Sequence, residues 1–185
     1  MQNKIILIDS QDKKEPYLEA SLGLLSIGTI LKKNGFDVKI IKISLENPEK
    51  IEKYLDNNIL CVGFGVKTNQ IETALFFSKY IKRINKDIKI IWGGVHVNLF
   101  PNQVIENKNI DIIVLGDGEY TMLEIVKALQ KNKSLKNIKG GVYKDDKIIY
   151  NKKREFTNIS KLQKTDYSIL EDIEKYIEGS KIPNA

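Results

Sequence analysis

Cysteine and histidine are almost missing from this 185-residue chain, with Cys61 and His96 the single instance of each. A lone thiol forms no internal disulfide and holds no iron–sulfur cluster, whose irons take several thiolates. A lone histidine builds neither a multi-histidine metal site nor a catalytic triad. Arginine is scarce too, limited to Arg83 and Arg154, although lysine raises the formal net charge to +6. Base-reading sites lean on arginine, and single-strand platforms interleave aromatics with charge. Neither pattern occurs, so the lysines read as solvated faces and nucleic acid is not the expected partner. No apolar run approaches the ~20 residues that span a bilayer. The apolar stretch Ile5-Ile6-Leu7-Ile8 is too short for a signal peptide and lacks a small-residue cleavage site. These absences point to a cytoplasmic protein.

What is present is an alternation of short apolar runs and helical patterns. Lys4–Asp9, Phe36–Ile43, Ile59–Gly65, Ile88–Trp92 and Ile112–Leu115 read as strands, the third buried on both faces. Between them, Leu22–Asn34 carries Leu24, Ile27, Gly28 and Leu31 on one stripe, and Gly35 suits the left-handed turn that ends a helix. Asn47 with Pro48 predicts a capped helix holding Ile51 and Leu55 inward. A helix from Ile71 has Asn69 and Glu72 spaced as a capping pair, Pro101 opens a short helix, and Glu119–Lys131 is the last long one. This order predicts an α/β fold: a flavodoxin-like (Rossmann-like) parallel sheet of five strands ordered 2-1-3-4-5, with helices on both faces. Gly141–Lys144 and Lys147–Tyr150 around Asp145-Asp146 predict a C-terminal β-hairpin, followed by a charged, partly helical tail. The expected division is a domain over 1–137, a hairpin appendage over 138–151, and a linker or docking tail over 152–185.

Three loops follow consecutive strands and therefore share one sheet edge, where such folds hold large cofactors. The first is Gly65-Val66-Lys67-Thr68-Asn69, the second Gly93-Gly94-Val95-His96, and the third Gly116-Asp117-Gly118-Glu119. Val66, Lys67, Thr68 and Asn69 set ammonium, hydroxyl and amide groups at a helix N-terminus, as ligand contacts or as plain caps. Gly93 and Gly94 admit a ligand close to the backbone, and they equally make a turn. His96 reads as a loop histidine touching ligand or capping that turn. Gly116 and Gly118 permit a sharp turn in which Asp117 caps the next helix, and Asp117 and Glu119 can accept hydrogen bonds from a polar cofactor. No residue pair there performs acid–base chemistry alone. Residues 10–20 lack the Gly-x-Gly-x-x-Gly of dinucleotide sites and no P-loop occurs, while Glu15-Pro16-Tyr17 offers a rim.

In this order the residues resemble the cobalamin-binding domain at the N-terminus of cobalamin-dependent radical S-adenosylmethionine enzymes. The resemblance is carried by Gly23-Leu24 before a helix ending at Gly35, Val38, Val62-Gly63 with its polar turn, and Gly93-Gly94-x-His96 with Pro101. It continues in Gly116-Asp117-Gly118-Glu119, in the hairpin and in Asp166-Tyr167-Ser168-Ile169-Leu170, spanning roughly residues 1 to 172. Two departures matter. The chain lacks the Cys-x-x-x-Cys-x-x-Cys of the radical domain, and Asp9-Ser10-Gln11 lacks the cobalt-ligating histidine of mutase-type domains.

The resemblance implies a cofactor-holding module, not catalytic alone, whose loops at 66–69, 93–96 and 116–119 meet a corrinoid. It implies cobalamin held without a protein histidine, no iron–sulfur cluster in these residues, and a radical S-adenosylmethionine domain working in cis or in trans. Two alternatives remain beside it. One is a flavodoxin-like regulatory or interaction domain, against which the third strand ends Phe64-Gly65-Val66 without a phosphoacceptor carboxylate. The other is a nucleotide-binding transferase domain, against which the glycine fingerprint is missing.

Overall fold

The computed structural model describes residues 2–10, 20–158, 160, 162 and 164–179. Five β-branched runs become parallel strands: β1 (Lys4–Ser10), β2 (Asp37–Ile43), β3 (Ile59–Gly65), β4 (Lys89–Gly93) and β5 (Ile112–Val114). Their order is the expected one, but the sheet has seven strands rather than five. β6 (Gly141–Lys144) and β7 (Ile148–Tyr150) pair antiparallel beyond β5, giving β2-β1-β3-β4-β5-β6-β7. The hairpin joins because β5 would otherwise be a bare edge and because Val142 and Tyr143 each complete one of the two cores.

Helices α1 (Leu22–Lys33) and α5 (Gly118–Gln130) cover one face of the sheet, where Leu25, Leu31, Met122 and Ile125 pack on Ile5, Leu7, Ile91 and Ile112. Helices α2 (Ile71–Ile84), α3 (Val95–Leu99) and α4 (Pro101–Glu106) cover the other, with Phe77, Ile81, Val97 and Ile105 against Ile6, Phe64, Ile90 and Trp92. β3 is buried on both faces up to Phe64, as its largely apolar run predicts. Gly35 ends α1 at φ +86°, the left-handed turn expected of it.

Local details depart from the caps read in sequence. Pro48–Tyr54 is a 3₁₀ helix without a side-chain cap from Asn47. Thr68–Gln70 forms a 3₁₀ turn before α2, and the capping contact is Gln70 Oε1 accepting from the Lys67 N–H at 3.0 Å rather than an Asn69–Glu72 pair.

The C-terminal segment runs back along the sheet. Leu170 bridges Ile40 of β2, Glu171 N–H donates to the Ile40 carbonyl at 2.8 Å, and Ile169 and Leu170 are buried. Ile169 fits because residue 28 is glycine: a Cβ there would stand 2.6 Å from its Cδ1. Lys32 pairs with Asp166 at 2.9 Å, and Lys50 and Lys53 reach Glu171. α6 (Ile173–Gly179) follows.

Candidate functional site

The carboxyl ends of the parallel strands meet a cavity of about 340 Å³ between α1 and α5. Its floor is built by strand register. Leu7 of β1 lies beside Gly63 of β3 and Ile91 of β4, and in the next row Asp9 lies beside Gly65 and Gly93. Glycines two apart on β3 share one face of the strand, so Leu7 and Leu24 settle close over bare backbone there and the cavity floor stays low. A Cβ at Gly63 would come within 2.9 Å of Leu7 Cδ2, and one at Gly65 within 3.1 Å of Leu24. Ser21, Gly23, Leu24 and Ile27 of the α1 end form one wall. Gly118, Glu119 and Met122 of α5 form the other.

The rim carries most residues singled out in the sequence. Val66, Lys67, Gly93, Gly94, Gly116, Asp117, Gly118 and Glu119 all line the cavity. Gly94 adopts φ +103°, and a Cβ on it would stand 2.8 Å from both the nitrogen and the oxygen of Val66. The two loops therefore touch backbone to backbone, with Val66 N–H donating to the Gly93 carbonyl at 2.8 Å. Gly116 turns at φ +72° as expected. Asp117 takes the N-cap position of α5, but its side chain does not cap the helix. Its Oδ2 instead accepts from Thr157 N–H at 2.6 Å, tying the chain after β7 to the cavity edge. Glu119 Oε1 accepts from Ser26 Oγ at 2.9 Å, joining the two walls.

Thr68, Asn69 and His96 lie outside this lining. His96 is not on a loop: the reversal at Gly94 starts α3 at once, and the imidazole is 5% exposed within it. Its Nδ1 sits 3.4 Å from Thr68 Oγ1, and its ring centroid is 5.2 Å from that of Phe100. Glu15-Pro16-Tyr17, the suggested rim, lies outside the described residues.

Sequence reasoning missed Asp9, Gly63 and the α1 wall, and took Gly65 only as the head of a loop. The signal was present in β3, where two glycines at strand spacing interrupt an otherwise apolar run. Asp9 is buried, and its carboxylate helps to push the hydroxyl of Tyr176 in α6 up to about 12, after burial as the larger cause. Among the described residues no group of three or more His, Cys, Asp or Glu could hold a metal ion. No helix among them is long and apolar enough to cross a membrane.

Residues 16–126 match the B12 binding domain. This chain belongs to the B12-binding domain family. A relative in Pyrococcus horikoshii, described as an uncharacterized methyltransferase, is 31% identical over 163 residues, which is 84% of this chain and 35% of that protein. The anaerobic magnesium-protoporphyrin IX monomethyl ester cyclase of Synechocystis is 27% identical over 134 residues, 69% of this chain and 27% of that protein. This B12-binding domain thus spans about a third or less of the length of these relatives. Among solved structures, the cobalamin-dependent S-adenosylmethionine radical enzyme OxsB with aqua-cobalamin bound aligns at a TM-score of 0.77 and 20% identity, over 96% of this chain and 25% of that one. The radical S-adenosylmethionine methyltransferase TsrM from Kitasatospora setae, with cobalamin and a [4Fe-4S] cluster bound, aligns at 0.72 and 18%, over 91% and 32%. Both likenesses concern the fold, which is the flavodoxin-like one of this domain family.

Proposed function

We propose that this chain holds cobalamin at the carboxyl edge of its sheet and presents it to a reaction centre lying outside these residues. The observation that carries the proposal is the glycine-floored cleft between α1 and α5, in a chain of the B12-binding family. The donor and acceptor set suits such a ligand. Backbone is accessible at Gly93 and Gly94, and Asp9, Asp117 and Glu119 accept hydrogen bonds from amide arms. Gly63, Gly65 and Gly118 form a cradle that side chains would fill: a Cβ at Gly118 would come within 2.8 Å of Ile27. A cleft of this volume takes one slender arm of the corrinoid rather than the ring, while the loops at Val66–Lys67, Gly93–Gly94 and Gly116–Glu119 carry the ring; Thr68, Asn69 and His96 act behind them.

When bound, cobalamin supplies methyl-transfer chemistry. The residues here bind it, orient it and keep water from its buried side. The reading includes cobalt without a histidine from this chain, which the burial of His96 against Thr68 and Phe100 supports. It also places the iron–sulfur chemistry elsewhere, in a radical S-adenosylmethionine domain in the same polypeptide or another, because one cysteine cannot hold a cluster. A cytoplasmic location belongs to the same reading and suits an unpaired thiol. The competing nucleotide site is disfavoured by α5, whose N-terminus, the usual seat for phosphate, bears Asp117 and Glu119.

The test is direct. Purified protein mixed with hydroxocobalamin and desalted should keep the corrinoid's visible bands in stoichiometric amount. Protein that leaves the column colourless in repeated trials overturns the proposal.

A further inference from the structure

The ionisable lining of the cavity runs against the charge of the molecule. The chain has 30 basic and 24 acidic side chains, yet the charged residues lining the cleft are Asp9, Asp117 and Glu119 against Lys67 alone, among the described residues. We propose that these carboxylates make the cleft selective for a corrinoid whose side arms end in carboxamides, over one in which arms end in free carboxylates. The inference rests on the cobalamin reading above and adds the chemical state of the ligand's periphery.

Each rim carboxylate is oriented by a bond from the protein itself. Asp117 Oδ2 is held by Thr157 N–H at 2.6 Å, and Glu119 Oε1 by Ser26 Oγ at 2.9 Å. An ionised carboxylate offers two oxygens and about four accepting positions, so one such bond leaves capacity for a ligand donor. Gly118 stands between the two acids, packed on Ile27 of α1, and fixes their separation along the turn. Asp9 ends the floor row that continues through Gly65 and Gly93. The three acceptors thus come from two sides of one cleft.

A carboxamide arm brings two N–H donors and no charge. Its hydrolysis product brings an anionic acceptor and, at neutral pH, no donor. Facing Glu119 or Asp117, the acid loses a charge-assisted hydrogen bond and gains like-charge repulsion, both felt strongly where water is thinned out. Sites built to accept a hydrogen bond reject analogues that lack the donor by large factors, because their own polar groups are left unpaired. Lys67 can compensate on only one side of the rim.

The test uses hydroxocobalamin and the separated monocarboxylic acids made from it by mild acid hydrolysis, titrated into the purified protein at neutral pH. At least one monoacid should bind about tenfold or more weakly than the parent, which corresponds to about 1.4 kcal/mol. In Glu119→Gln, and independently in Asp117→Asn, the ratio of acid to amide Kd should fall toward one, with folding checked by circular dichroism. Monoacids that all bind as tightly as the parent overturn this inference while leaving cobalamin binding intact. Ratios unchanged in both variants and in Asp9→Asn overturn it as well. Failure of the parent itself to bind removes the reading beneath it.

Discussion

Gly94 is the residue whose identity the site can least change. At φ +103° and ψ −176° it occupies a region essentially closed to other residues, and a Cβ would meet Val66 backbone at 2.8 Å. Gly94→Ala should cost about 1–3 kcal/mol in a denaturant melt, more than substitution at an ordinary surface position. Gly23, where a Cβ meets nothing within 4 Å, is the control, and Gly23→Ala should leave the midpoint nearly unchanged or raise it. Cys61 behaves oppositely to a reactive thiol. It is fully buried, and burial pushes its thiol up to about 12. It should stay silent toward a thiol reagent in native buffer and react fully in denaturant.

At the scale of elements, β3 sets the depth of the cleft. Gly65→Val would place a branched side chain against Leu24, already 3.1 Å from the position of a Cβ, between Asp9 and Gly93. Cobalamin retention should fall at least about tenfold with the circular dichroism spectrum preserved, since Leu24 has to shift toward the cleft to make room for the added methyls. Strands β1 to β5 were legible in the sequence because their β-branched runs have no competing helical period, and three loops on one edge followed from their order. The glycine spacing in β3 was equally visible, but volume above a strand depends on what α1 and α5 place over it. α3 was not legible: Val95-His96-Val97-Asn98-Leu99 has no capping signal, and what starts the helix is the reversal at Gly94. His96 therefore read as a loop residue when it is packed inside. Capping pairs misled for a similar reason, because Asp117 serves a distant backbone amide instead of its own helix.

At the scale of the molecule, the hairpin extends the sheet from β5, and the segment at 166–171 docks on β2. The hairpin read as an appendage in sequence because two short strands carry no record of which edge they will join. Asp166 is the polar anchor of the segment on β2. Hydrogen bonds from Ser168 and from Lys32 hold its carboxyl down at about 2, against an ordinary 3.8. A depressed carboxyl contributes stability that is complete above the ordinary value and is lost as pH falls through the folded one. Docking of residues 166–171 should therefore weaken between about pH 4 and pH 2. Carboxyl titration by NMR should give a midpoint near 2 for Asp166, rising toward 3.8 in Ser168→Ala, and an unperturbed midpoint in the native chain would contradict this contact.

Trp92 is the only indole in the sequence and is fully buried on β4, one residue before the paired glycines. Because side chains alternate along a strand, its ring lies on the face opposite Ile91 and Gly93, donating to Ser78 Oγ at 3.0 Å, so a ligand in the cleft never touches it. Only the thickness of the sheet separates the two. A corrin absorbs where tryptophan emits, so dipolar energy transfer should dim the native fluorescence as the site fills. The fold thus carries its own optical gauge, and emission that stays constant during uptake of the coloured ligand would place that ligand somewhere other than above β4.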